Sequence, residues 1–239
     1  TIPKSTPFLL TGSGSDPNGD AITYCWEQYN LGSAGEPASP SGDAPIFRSF
    51  DPTTSPSRVF PKWADIVNNT STIGELLPSY GRTLTFRLTV RDNRSGGGRT
   101  ALDAMNVVVA DGAGPFTVTA PNTAVTWTAG SSATVTWNVA NTTASPVSCA
   151  NVDILLSTDG GYTYPYTLAT ATPNDGTQTV NVPILPATTS TARVQVRGSG
   201  NILFDISNAN FRTRQPAIPA FVMAITPGQE AVCAPANAV

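Results

Sequence analysis

Along most of this chain, apolar and polar residues alternate one for one. The clearest run is Thr83-Leu84-Thr85-Phe86-Arg87-Leu88-Thr89-Val90-Arg91. Leu84, Phe86, Leu88 and Val90 fall on one side, and the threonines and arginines fall on the other. Successive side chains of a strand point to opposite faces, so a period of two marks a strand with one buried and one solvated face. Ala133 to Val139 repeats the pattern with Val135, Trp137 and Val139 inward, and Ala192 to Arg197 does so with Ala192, Val194 and Val196 inward. Strands of this kind, punctuated by Gly, Pro, Asn and Asp, predict an all-β protein of antiparallel sheets packed as sandwiches.

The pattern occurs twice. Ile22 to Glu27 and Thr134 to Asn138 are both strands carrying a Trp, early in each half. Leu84 to Val90 and Ala192 to Val196 are both late strands, each followed by a Gly-containing turn and a final strand. The expected organisation is two tandem β-sandwiches, at 1-112 and 113-214, joined by Asp111-Gly112-Ala113-Gly114-Pro115. Residues 215-239 read as a linker and the start of a further module. Between Asn30 and Pro78 the β pattern lapses into Gly, Pro, Ser and Asp, with about two helical turns possible at Lys62 to Asn68. So long a loop is often functional.

Composition narrows the chemistry. The chain has 239 residues, enough for two cores. Only 12% are charged, about half the usual ~25%, which suits a secreted or cell-surface protein. The net charge of −3 offers no basic face for nucleic acid. There is no histidine, which excludes His-based triads and His-ligated zinc from these residues. Cys25, Cys149 and Cys233 are widely spaced without a CxxC pair, and Cys25 and Cys149 read as buried thiols. No run approaches the ~20 apolar residues of a membrane helix, so no membrane insertion is expected, and the chain is expected to be a monomer. The start at Thr1, without Met, reads as an excised fragment.

Several groups of residues stand out as candidate sites or turns. Asp16, Asn18, Asp20 and Glu27 fall on positions 1, 3, 5 and 12 of a twelve-residue calcium loop. The turn glycine is misplaced at Gly19, however, and Ile22 to Glu27 is an extended run that carries Glu27 away. Two readings remain for Asp16, Asn18 and Asp20: a sandwich-type calcium site completed by a neighbouring strand or linker, or a hairpin-like turn with Asp16 closing an Asx-turn. Trp63 and Trp127 stand in irregular contexts and are candidate sugar-stacking platforms. Arg87 and Arg91 form a same-face pair that fits an acidic glycan or partner, or a solvated sheet face. Ser157-Thr158-Asp159-Gly160-Gly161 predicts a tight hairpin, and Asp205 is expected to cap backbone N–H groups ahead of the last strand. The acids show no pair arranged for catalysis.

As a set, several motifs carry a resemblance. They include Tyr24-Cys25-Trp26-Glu27-Gln28, Phe47-Arg48-Ser49-Phe50, Val90-Arg91-Asp92-Asn93, Val135-Thr136-Trp137-Asn138, Cys149-Ala150-Asn151-Val152-Asp153-Ile154, Leu156-Ser157-Thr158-Asp159-Gly160-Gly161 and Pro173-Asn174-Asp175-Gly176. Together the chain resembles the accessory region downstream of the catalytic domain in secreted bacterial reprolysin-like zinc metallopeptidases. The resemblance implies a PKD- or cadherin-like sandwich followed by an immunoglobulin/fibronectin-III-like one, without catalytic residues and without zinc. The HExxHxxGxxH motif would belong to another domain. The expected function is substrate or surface binding, or spacing, with a protein or glycan substrate or a cell-surface component as partner. A calcium-rigidified adhesion module and a carbohydrate-binding module are the alternatives.

Overall fold

A computed structural model describes residues 1–216, so the expected start of a further module lies outside the described residues from 217 onward. The first half contributes β1 (Ile2–Pro3), β2 (Phe8–Thr11), β3 (Thr23–Gln28), β4 (Ser57–Phe60), α1 (Trp63–Asn68), β5 (Arg82–Arg91) and β6 (Thr100–Ala110). The second contributes β7 (Thr117–Ala120), β8 (Thr126–Thr128), β9 (Ser132–Asn138), β10 (Asn151–Ser157), β11 (Tyr166–Pro173), β12 (Thr177–Asn181), β13 (Thr189–Gly198), β14 (Phe204–Ile206) and β15 (Phe211–Arg214). The described chain is nearly all-β, with its strands in several sheets packed face to face.

In the first half a four-stranded sheet, ordered β1-β6-β5-β3, packs on the two-stranded β2-β4. Of the predicted inward set of β5, Leu84, Phe86 and Leu88 are buried between them and Val90 is half-buried. Phe8, Phe60, Phe86 and Phe47 form the centre, with Phe60 lying 5.1 Å from Phe8, 4.7 Å from Phe86 and 4.9 Å from Phe47. Deleting one such buried ring costs ~3–5 kcal/mol.

Two expectations need correction here. The stretch between Asn30 and Pro78 is more than a long loop, because it supplies β4 and Phe47 and so completes the second layer and its core. β4 has only four residues among Ser, Pro and Thr, too short for its alternation to register. The sheets are also not purely antiparallel. β1 pairs in parallel with β6, and β8 does so with β15. Both are very short edge strands whose direction follows from where the chain enters the sheet.

The second half places β11-β10-β13-β15-β8, with β14 also on β13, against the three-stranded β12-β9-β7. Phe116, Val135, Trp137, Ile154, Leu156, Val194, Val196 and Phe211 fill the space between. Trp137 donates its indole N–H to Asn174 Oδ1 at 2.7 Å, and Asn174 Nδ2 donates to the Cys149 carbonyl at 2.8 Å and to Thr142 Oγ1 at 3.0 Å. The Pro173-Asn174-Asp175-Gly176 motif therefore serves to satisfy a buried indole.

The segment Asp111 to Pro115 is packed. Lys4 N donates to Ala113 O, Gly114 N to Ala140 O, and Phe116 N to Thr6 Oγ1, each at 2.9 Å. Gly114 has φ +101, and a Cβ there would lie 2.2 Å from Lys4 O. Only glycine fits this position.

Candidate functional site

The two halves meet on a built seam. On β13 the inward residues Ala192, Val194 and Val196 are buried as predicted, but Arg193 and Gln195 on the opposite face are buried too. The first half covers that face, so the one-sided alternation of β13 does not mean a solvated side. α1 supplies Ile66 and Val67, which pack with Phe204 and Ile206 of β14, flanked by Val59, Trp63 and Tyr164. Trp63 lies over Phe204 at 5.6 Å between centroids and donates its indole N–H to Gly161 O at 2.9 Å.

Polar contacts reinforce this seam. Arg193 donates to Val67 O at 2.8 Å and to Asn210 Oδ1 at 2.7 Å. Asn69 Nδ2 donates to Asn208 O at 2.9 Å. Backbone bonds also cross, with Leu9 N donating to Ile202 O and Phe204 N to Pro7 O, both at 3.0 Å. The helix itself is closed at its C-terminal end by Asn69 in the left-handed conformation. Its first-turn acid, Asp65, accepts the Thr70 and Thr72 hydroxyls at 3.1 Å.

Beside the seam opens a cleft of about 680 Å³, walled by Trp63 and Tyr162 and floored by Gln195, Asp153 and Arg197. Asp153 bonds Arg197 Nε at 3.2 Å through Oδ2 and the Ala171 N–H at 2.9 Å through Oδ1. Asp159 shapes the loop that carries Tyr162. Burial pushes its carboxyl upward, but four hydrogen bonds outweigh this and hold it at about 2. The donors are the Ser157 and Thr163 hydroxyls, both at 2.7 Å, and the Tyr162 and Thr163 N–H groups, both at 3.0 Å. Gly161, at φ +94, lets the chain turn beneath Trp63. The loop spans residues 158–165 between β10 and β11 rather than a two-residue hairpin.

The predicted site residues are scattered. Asp16 Oδ1 accepts the Asn18 and Asp20 N–H groups at 2.8 and 3.0 Å, an Asx-turn, while Asp20 Oδ2 faces Arg94 at 3.8 Å. The turn links β2 and β3, which lie in different sheets, so it is not a hairpin. Glu27 accepts the Ser49 hydroxyl at 2.9 Å, away from the cluster.

Trp127 is 8% exposed and packs on Phe211 at 4.6 Å, which makes it a core residue and not a platform. Trp63 is partly buried in the seam with one edge in the cleft. Arg87 sits over the Tyr29 ring at 4.5 Å, and Arg91 is exposed at the end of the same face. Cys149 is buried and Cys25 only partly so; burial pushes both thiols upward. Asp205 Oδ2 accepts the Val118 N–H at 2.7 Å, from β7 at the start of the second half. Burial raises its carboxyl to about 7. Gln195, Asp153 and Tyr162 were not singled out from sequence. Their only signal was polarity on β-strand faces and in a Gly-rich loop.

No protein-family model matches the chain, and no curated protein matches it. Solved structures are similar to it only distantly. Fibronectin(III)-like modules of Clostridium thermocellum CbhA are 9% identical, with 94% of each chain covered and a TM-score of 0.29. Bacteroides ovatus SGBP-B, of the mixed-linkage glucan utilization locus and solved with a mixed-linkage heptasaccharide, is 10% identical. That alignment covers 89% of this chain and 42% of that one, with a TM-score of 0.24. Drosophila N-cadherin EC1-4 is 10% identical over 90% of this chain and 46% of that one, with a TM-score of 0.28. The all-β class rests on the strands themselves. Among the described residues no helix is long and apolar enough to cross a membrane.

Proposed function

We propose that the chain is a non-catalytic accessory region of a secreted bacterial zinc metallopeptidase, working as a monomer. Its two Ig-like sandwiches carry substrate or surface binding at a set distance from a catalytic domain elsewhere. The observation that carries this reading is the seam. Apolar packing of α1 on β14, the Arg193 contacts and two backbone bonds tie the sandwiches together, which suits a spacer or presenter. The motif set from Tyr24-Cys25-Trp26 to Pro173-Asn174-Asp175-Gly176 supports the choice of parent family. With no histidine in these 239 residues, the zinc ligands of such a parent would lie in another part of it.

The test has two arms. The purified chain should leave casein, gelatin and polysaccharides intact, and turnover by a homogeneous preparation would overturn the non-catalytic reading. Fused behind a reprolysin-type catalytic domain, the chain should raise the rate on insoluble protein relative to a soluble peptide. An unchanged ratio would overturn the accessory role.

A further inference from the structure

The cleft at the seam contains a side chain for which the fold offers no partner. Gln195 is 8% exposed, lies on the face of β13 turned toward the first half, and lines the cleft. Among the described residues its amide makes no hydrogen bond, and its polar atoms stay open to the cleft rather than being sealed in the core. Its neighbour two residues earlier on that face, Arg193, is by contrast tied into the seam through Nε and Nη1. An amide presents two donors and two acceptor lone pairs together.

The rest of the floor is electrically balanced. Asp153 and Arg197 neutralise one another at 3.2 Å, and the guanidinium is half exposed, with N–H groups left over. The wall is aromatic and open, since Tyr162 is 58% exposed and Trp63 shows an edge beside it. The cleft volume lies within the ~300–1,000 Å³ of small-ligand sites.

We propose that this cleft binds a neutral oligosaccharide. The floor reads adjacent hydroxyls, which need donors and acceptors at once and bring no charge. Gln195 and the Asp153–Arg197 pair supply both. The Tyr162 face covers the apolar C–H side of a pyranose ring. An acidic glycan would meet Asp153, and a basic one Arg197, so net neutrality is favoured. An extended peptide would seek a free strand edge, but β13 is paired on both sides at this point, with β10 and with β14. The inference rests on the accessory reading, for which it names a ligand class.

The experiment is affinity electrophoresis of the full chain through soluble neutral polysaccharides (mixed-linkage glucan, laminarin, xylan, galactomannan), with alginate and gelatin as charged and peptide controls. Calorimetry with a hexasaccharide of any retarding polymer follows. Retardation by at least one neutral glycan is expected. Gln195→Met should weaken binding by about tenfold, the loss of a net hydrogen-bond contribution, and Tyr162→Ala should do the same. Tyr162 lies on the surface, so its variant keeps the test valid if Gln195→Met unfolds. The proposal is overturned by no retardation in any neutral gel, by retardation only in alginate or gelatin, or by binding that survives both substitutions in folded protein. Those results leave the accessory reading standing, whereas hydrolase activity would remove that reading whatever the cleft binds.

Discussion

Arg193→Met tests whether the seam is an energetic interface. Arg193 is a buried cation whose guanidinium meets carbonyl and amide oxygens rather than a carboxylate. One of them, Val67 O, belongs to the last turn of α1, where carbonyls have no partner within the helix. Methionine keeps the aliphatic stem but strands those oxygens. Hydrogen bonds from a charged donor contribute ~1.5–3 kcal/mol each. Two short ones, less the solvation that the guanidinium no longer forfeits, leave a loss of about 2–4 kcal/mol. For a chain of this size that is a fall of roughly 5–12 °C in Tm. Calorimetry should also resolve the single transition of the parent into two as the halves uncouple, and small-angle scattering should show a larger radius of gyration. A variant that melts within a degree of the parent, with unchanged scattering, would refute the reasoning.

Three further outcomes follow from the geometry. Asp205 has a folded-state pKa raised to about 7, above its unfolded value, so its contribution is most favourable below that unfolded value and is lost as pH rises toward 7. Asp205→Asn keeps an acceptor for the Val118 N–H, so the variant should gain Tm over the parent at pH 8 and match it at pH 4. A constant difference across pH would contradict this. Arg58 and Glu75 form a buried pair at 2.7 Å. Arg58→Met should cost ~3–5 kcal/mol by leaving Glu75 buried and uncompensated, and the double variant with Glu75→Gln should recover part of it in urea melts. Finally, Asp16 Oδ1 is committed to two N–H groups and Asp20 faces Arg94. Melting curves in millimolar calcium and in chelator should therefore coincide, whereas a calcium-dependent rise of several degrees would restore the metal site.

Much of the fold was legible because a solvated sheet writes its period into the sequence. β5, β9 and the inward face of β13 follow from alternation alone, and Trp26 and Trp137 fall in their cores as read. The partner layer was harder. β4 is four residues long and its burial depends on Phe8 and Phe86, which lie far away in sequence. The candidate site was least legible. Trp127 looked irregular yet is covered by Phe211, a contact made through a parallel pairing that no local pattern announces. Gln195 looked like an ordinary outward residue of a strand, because the helix that covers its face sits more than a hundred positions earlier.

That same helix has a consequence for the order in which the protein is made. α1 has six residues, well under the ~12–15 that an isolated helix needs to persist in water. Its covering residues, from Tyr164 to Asn210, follow almost a hundred positions or more later. A chain emerging from its N-terminus therefore builds the Phe8–Phe60–Phe86 core early and holds α1 unfinished until β13 and β14 have formed. Completion of the first sandwich becomes a late event governed by the second. A chain truncated at residue 112 should retain its sheets while losing this helical turn and presenting Ile66 and Val67 to solvent.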